Sequence, residues 1–241
     1  MYNIITYCSK NYYPRLLKTI NSWIKQKSVK TIYIYTDFSI VKNDILKSDK
    51  IIYKKLFKQS EEFGENCSRK VKCIFDYFNN SITRDRQNDN ILFLDIDCFI
   101  VKDLSSLFHK DFYIGITVYP EIKEKYKTNN VSSGFVAIKN NVKALDFILQ
   151  WQKHQDVYGV ETPCRDQKSL SETITKIKNN PEYKVILLNS NEYNCHPYSS
   201  GIGYVKEWYT RIKQNDPSII HFSSGTIKNQ EIIDEAISLV N

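Results

Sequence analysis

Ile91-Leu92-Phe93-Leu94-Asp95-Ile96-Asp97-Cys98-Phe99-Ile100 is the stretch on which the fold turns. Ile91–Leu94 is a continuous apolar run of the kind found in buried parallel strands. It follows a polar segment, Thr83–Asn90 (TRDRQNDN), that reads as a loop. Two carboxylates then interrupt the apolar stretch where such a strand should emerge. Aspartate is a poor strand former, and a buried charge is costly unless it is paired or metal-bound. Two neighbouring carboxylates repel, and a divalent cation relieves that repulsion. The same cation could hold a diphosphate and offset its charge. The plainer alternative is that Asp95 and Asp97 cap the next turn or pair with lysines. A chain with 15 aspartates yields a D-x-D by chance, so the strand-end position carries the weight.

Working outward, Ile4–Tyr7 reads as a first strand and Thr31–Tyr35 as a second, with Lys50–Leu56 a weaker third. Tyr13, Leu16, Leu17, Ile20 and Ile24 recur at helical spacing, with Pro14 in the first turn. Cys67, Val71, Ile74, Phe75 and Phe78 form another helical stripe, closed by Asn79-Asn80. Beyond residue 100, Phe112–Val118 and Val131–Ile138 read as strands, Asn141–Lys153 and Asp166–Lys178 as helices. Val185–Leu188 and Ser218–Phe222 read as short strands, and 232–240 as a terminal helix. Strands and helices alternate first and mix later. The expected architecture is one α/β domain with a mainly parallel sheet, whose ligands sit beyond the carboxyl ends of the strands.

Length and charge narrow the function. The chain has 241 residues, 34 Lys+Arg against 27 Asp+Glu, and a net charge of +7. That balance favours an anionic partner: nucleic acid, acidic membrane or a nucleotide diphosphate. Only seven residues are glycine. There is no G-x-G-x-x-G and no G-x-x-x-x-G-K-[ST], which excludes the glycine-loop ways of holding phosphate. No apolar run reaches the roughly 18–20 residues of a membrane span. The six cysteines are scattered, with no C-x-x-C, and read as buried free thiols in a reducing compartment. The N-terminus lacks the basic and apolar regions of a signal peptide, so a cytoplasmic protein is expected.

Ile91–Phe108 (ILFLDIDCFIVKDLSSLF) resembles the D-x-D segment of GT-A-fold glycosyltransferases, closest to the glycogenin-like and lipooligosaccharide galactosyltransferase group and related nucleotide-diphospho-sugar transferases. Further segments agree in order. Ser68–Lys72 resembles a helix that presents a basic residue to the donor diphosphate. Val131-Ser132-Ser133-Gly134-Phe135 resembles a strand that shapes the sugar pocket. Arg165-Asp166-Gln167 resembles a "D-Q" motif near the transferred sugar, and Leu188–His196 (LNSNEYNCH) the segment that follows it. Ile220–Gly225 resembles a C-terminal segment whose histidine is a metal ligand and whose lysine contacts phosphate. The likeness spans roughly residues 1–228. It departs at Ser132, where the family has Asn, and in the spacing from His221 to Lys228, which lacks the family's following Pro-Trp.

The resemblance implies a hexosyltransferase-type enzyme that moves a sugar from a nucleoside-diphosphate sugar, uridine-linked, to a hydroxyl acceptor on a glycan, protein or other molecule. Residues 1–100 would form the nucleotide-binding half and residues 101–241 the sugar and acceptor half. Asp95, Asp97 and His221 would hold Mn²⁺ or Mg²⁺, with Asp95 also reaching the ribose. Lys70 is preferred over Arg69 and Lys72 as the diphosphate cation, because it flanks the apolar stripe of its helix. Asp166 and Gln167 form the catalytic pair. With retention of configuration Gln167 would sit near the anomeric carbon and Asp166 would hold sugar hydroxyls; with inversion Asp166 could be the base. The likeness leans to retention, and the plain reading of Asp166 is a helix cap. Thr6, Tyr7, Cys8, Tyr12 and Asp37 are candidates for base and ribose, Ser133, Gly134 and Gly225 for close approach of the sugar, and Lys228 for phosphate. Trp208 and Tyr209 could stack on an acceptor. The rival readings are a metal-dependent nucleotidyltransferase or phosphatase on the same carboxylates, a basic binding module and a catalytically dead scaffold of the same fold. No nucleic-acid partner is expected, because the lysine groups are too dispersed.

Overall fold

The computed structural model describes residues 1–40, 48–60, 63–82, 89–119, 131–159, 161–162, 164–196, 202–222 and 226–240. In chain order they form β1 (Tyr2–Cys8), α1 (Tyr13–Ile24), β2 (Val29–Thr36), β3 (Ile51–Lys55), α2 (Phe63–Ile82), β4 (Asn90–Leu94) and β5 (Cys98–Ile100). There follow β6 (Ile114–Val118), β7 (Val131–Lys139), α3 (Val142–Val157), α4 (Arg165–Ile177), β8 (Val185–Asn189), α5 (Ser190–Tyr193), α6 (Ile202–Asn215), β9 (Ile219–His221) and α7 (Gln230–Ser238). Seven strands make one sheet in the order β3-β2-β1-β4-β7-β6-β8. β7 alone runs against the others, so the sheet is mixed and mainly parallel, as expected. β5 and β9 pair separately as a two-stranded antiparallel ribbon.

The sheet buries both faces. One is covered by α1, with Leu16, Ile20 and Trp23 packed on β1 and β4 residues such as Ile4 and Leu92. The other is covered by α2, α3 and α4, through residues such as Val71, Ile74, Phe147, Trp151 and Leu170. Strands covered on both sides read as continuous apolar runs, which is why Ile91–Leu94 announced itself. A third cluster joins α6, α7 and β9 around Trp208, Phe222 and Ile233. The indole Nε1 of Trp208 donates to Cys195 O at 3.1 Å and its side chain is fully buried, so the acceptor-stacking role considered for it is corrected: it is a core residue.

Two features of this topology position the site. Antiparallel pairing of β4 with β7 sets Leu94 opposite Phe135, so the start of β7 lies beside the carboxyl end of β4. Asp95 N then donates to Gly134 O at 3.0 Å. The ribbon sets Cys98 opposite His221, which brings a residue 124 positions downstream of Asp97 back to the D-x-D turn. α1 fastens that turn from beneath. Thr19 Oγ1 donates to Ile96 O at 2.6 Å, Trp23 Nε1 to Cys98 O at 2.8 Å, and Ser22 Oγ accepts from Ile100 N at 3.0 Å.

Candidate active site

A cavity of about 430 Å³ opens at the carboxyl ends of β1 and β4. Its walls include Asp95, Asp97, Ser133, Gly134, Asp166, Gln167 and His221, which come from four separate segments of the chain. The D-x-D turn closes through Cys98 N donating to Asp95 O at 3.1 Å. It turns the two carboxylates to different partners.

Asp95 faces the ammonium of Lys70 at 2.9 Å, and the same ammonium lies 3.0 Å from Asp166 Oδ2. Ser133 Oγ also donates to that oxygen, at 2.6 Å. Burial opposes the charge on Lys70, but Asp166 and Asp95 outweigh it and hold its pKa well above the ordinary lysine value. Burial raises Asp95, and Lys70 only partly offsets this. Of the three basic residues weighed on this helix, Lys70 is the one that reaches the cavity. Lys72 is exposed, and Arg69 is buried in an ion pair with Asp37 at 3.0 Å. Asp166 is not a helix cap. Cys164 takes that position in the left-handed region (φ 51°), and the Asp166 carboxylate is given to Lys70 and Ser133.

Asp97 pairs instead with His221, Oδ1 to Nε2, at 3.1 Å. Burial works against both charges, yet each stabilises the other. Asp97 is held below the usual carboxylate range, and His221 well above the usual imidazole value. His221 Nδ1 lies 2.8 Å from Asn194 Oδ1. Phe222 N donates to Asp97 O at 2.9 Å and locks the two segments together. Gly134 has to be glycine for this meeting: a Cβ there would lie 2.8 Å from His221 Cε1 and 3.0 Å from Asp95 Oδ2.

Asp97, Cys98 and His221 form a group that could hold a metal ion. Ligand atoms of Asp97, Cys98 and His221 all lie within 4.8 Å of one another. This differs from the expected trio, in that Asp95 lies outside the group. The reason is local: a carboxylate this buried needs a countercharge, and Lys70 supplies it. Cys98 Sγ donates to Gly134 O at 3.8 Å, and burial raises its pKa, so it is a protonated core thiol.

The remaining expectations divide. Tyr7 and Tyr12 line the cavity. Thr6, Cys8 and Asp37 do not: Thr6 Oγ1 donates to Leu94 O at 2.7 Å, Cys8 is fully buried, and Asp37 is committed to Arg69 and to Lys10 N. Lys228 ends a 3-10 turn, is exposed, and is not among the lining residues. Gly225 lies outside the described residues. The six cysteines are free, and five are buried; Cys164, at the entry to α4, is exposed, against expectation.

Sequence reasoning missed several lining residues. Ser9 is 4% exposed, and its Oγ has no hydrogen-bond partner among the described residues. Its place directly after β1 was the available signal. Arg15 lies over the Tyr12 ring at 4.2 Å. Tyr119 faces His196 at 6.4 Å; His196, which the sequence offers as a structural or acceptor-facing residue, lines the cavity and sits 4.7 Å from the His221 ring. Burial, reinforced by His221, pushes His196 down to about 3, so it is neutral.

No helix among the described residues is long and apolar enough to cross a membrane. No curated protein matches the chain. Among solved structures it is similar to the apo-form glycosyltransferase GlyE of Streptococcus pneumoniae TIGR4, at 14% identity and a TM-score of 0.62, over 99% of this chain and 61% of that one. A second GlyE structure gives 15% identity and a TM-score of 0.59, over 100% of this chain and 63% of that one. A glycosyltransferase involved in the glycosylation of the major capsid of PBCV-1 gives 11% identity and a TM-score of 0.56, over 98% of both chains. The chain thus spans less than two thirds of GlyE's length, and at these identities the likeness is one of fold. The sequence itself matches the model for nucleotide-diphospho-sugar transferases over residues 77–231. With that match over more than half its length, the chain belongs to the nucleotide-diphospho-sugar transferase family, in a GT-A-like fold.

Proposed function

We propose that the protein is a metal-dependent glycosyltransferase that moves a sugar from a UDP-sugar to a hydroxyl acceptor, with retention of anomeric configuration, and that it acts in the cytoplasm. The observation that carries the metal dependence is the charge balance of the cavity. Asp95, Asp97 and Asp166 line it against Arg15, Lys70 and His221, the last a cation only while it keeps the proton shared with Asp97. The basic groups are matched by carboxylates, so a diphosphate would enter a site with no net positive charge. An added cation supplies what the side chains do not. Asp97 and His221 would hold it, joined by Asp95 once Lys70 turns to the diphosphate. Bound there, Mn²⁺ or Mg²⁺ acts as a Lewis acid that offsets the charge on the departing diphosphate.

The chain's own groups do the rest. Ser9 offers a buried hydroxyl to the nucleoside, and Tyr12, backed by Arg15, offers a ring face. Ser133 and Gly134 allow the sugar to approach closely. Asp166 is 2% exposed and bonded to Lys70 and Ser133. That environment suits a residue that holds sugar hydroxyls, and disfavours a base that must meet the acceptor. Gln167 is then left beside the sugar, which supports retention. Tyr119 and the neutral His196 border the acceptor side.

The test is thermal melting with Mn²⁺ and UDP. UDP should stabilise the wild type only with the metal present, and Asp97→Ala should abolish the shift and lower transfer by about a thousandfold, the several kcal/mol that metal charge stabilisation supplies. A metal-independent UDP shift overturns the metal dependence. A shift given by GDP and not by UDP overturns the donor. The anomeric configuration of the product, read by NMR, decides retention.

A further inference from the structure

Asn194 is fully buried and its side-chain amide is engaged at both ends. Nδ2 donates to Ser132 Oγ at 2.8 Å and approaches Thr117 Oγ1 at 3.4 Å. Oδ1 lies 2.8 Å from His221 Nδ1. Backbone pairing fixes this placement. Cys195 N donates to Ile219 O and His221 N donates to Cys195 O, both at 3.0 Å, so the residue before Cys195 is set beside β9. Ser132 Oγ also accepts from Gly134 N at 3.2 Å. One continuous chain of hydrogen bonds therefore runs from the backbone of the sugar-pocket strand through Ser132 and Asn194 to the imidazole.

The direction of the amide has a chemical consequence. A carbonyl oxygen only accepts, so the proton it meets must sit on Nδ1. Nε2, the atom facing Asp97, is then the nitrogen whose proton a metal displaces and whose lone pair it takes. A reversed amide would donate to Nδ1, place the proton on Nε2 and close the site to the cation.

We infer that Asn194 is the positioning residue of the metal centre, holding His221 in the Nδ1–H tautomer and tying it to the strand that contacts the sugar. The inference rests on the reading of Asp97 and His221 as metal ligands.

Mn²⁺ affinity, followed by electron paramagnetic resonance without donor or acceptor, separates the two. Asn194→Leu keeps the volume and removes the acceptor, and should weaken Mn²⁺ binding about 10- to 100-fold. Asn194→Asp keeps an acceptor at the same place and should stay within about threefold of wild type. In the Co²⁺-loaded protein the proton on His221 Nδ1 should give a shifted resonance that disappears in D₂O, present in wild type and Asn194→Asp and lost in Asn194→Leu. Where Asn194→Leu does not fold, Ser132→Ala removes the amide's anchor, and should broaden that resonance and weaken Mn²⁺ about threefold. A folded Asn194→Leu with wild-type affinity and an intact resonance overturns the positioning role while His221→Ala still lowers affinity. The same result for Ser132→Ala overturns it where Asn194→Leu does not fold. A wild type that binds no Mn²⁺ overturns the ligand reading and this inference with it.

Discussion

Two strand ends in this sheet carry ion-paired aspartates, one fully and the other partly buried, and they have become different things. At the end of β2, Asp37 meets Arg69 at 3.0 Å, with side-chain exposures of 1% and 3%. Tyr7 Oη and Lys10 N donate to the same carboxylate, and neither Asp37 nor Arg69 lines the cavity. That cluster is closed: every charge has its partner inside the fold. At the end of β4, Asp95 and Asp97 also have partners, Lys70 and His221, but all four line a cavity. A buried charge at a strand end is therefore no sign of a site by itself. What distinguishes a site is that its partners can be exchanged for a ligand.

The sharpest way to break the comparison is to remove each carboxylate. Asp37→Ala leaves the Arg69 guanidinium buried, with only the half-exposed Glu65 at 3.1 Å to compensate. Losing one partner of a buried pair costs about 3 kcal/mol or more, or roughly 6–12 °C in melting temperature for a chain of this size. Melting should also show that Asp37→Leu with Arg69→Met recovers much of that loss, because neither charge then remains uncompensated. Asp97→Ala should show a different profile, with donor response lost and a smaller fall in melting temperature than Asp37→Ala, because the His221 imidazole can shed its proton and a guanidinium cannot. If Asp37→Ala melts like wild type while losing its UDP response, the two strand ends share one role and the distinction fails.

Gly134 sharpens the comparison at the β4 end with a smaller effect. Its φ is not positive, so alanine would add no backbone strain there. What changes is space: a methyl group would press on His221 and Asp95, each already held by a partner. Gly134→Ala should cost about 1–3 kcal/mol of stability through overpacking. It should lower kcat/KM about ten- to hundredfold by shifting both side chains from their productive positions. Steady-state kinetics beside a melting curve checks this, and unchanged kcat/KM would mean that the Asp95–His221 approach is not needed for transfer.

Much of this was legible in the sequence, for definite reasons. β4, β1 and β2 are buried on both faces and so declare themselves as apolar runs ended by polar residues. Asp95, Asp97 and Lys70 could be found because each interrupts or flanks such a pattern. β5 was not legible, since three residues paired with a strand over a hundred positions away leave no periodic trace. α6 was hidden because Gly203 stands in its first turn and its stripe is carried by little more than Trp208 and Ile212. Asn194 lay in a segment singled out for its likeness, but nothing local tells a buried asparagine that aims at a histidine from one that ends a short helix. Asp95's attachment to Lys70 and Asp166 needed three elements at once, which only the folded chain supplies.

The smallest expected effect concerns the two lysines read from the sequence as diphosphate cations. Lys70 is held at the centre of three polar groups, 15% exposed, with its charge enforced by two carboxylates. Lys228 ends a 3-10 turn at the surface. A solvated lysine away from the cavity attracts a diphosphate only through screened long-range charge, which fades beyond roughly 8 Å at physiological ionic strength. Lys228→Ala should therefore change stability by less than about 0.5 kcal/mol. Its effect on donor affinity should stay below about twofold and vanish at high salt, as titration calorimetry at two ionic strengths would show. A tenfold loss of affinity that persists in salt would mean that Lys228 enters the donor site when the nucleotide binds. The cavity's charge would then no longer be balanced by its own walls, and the argument that a diphosphate needs a metal there would lose its footing.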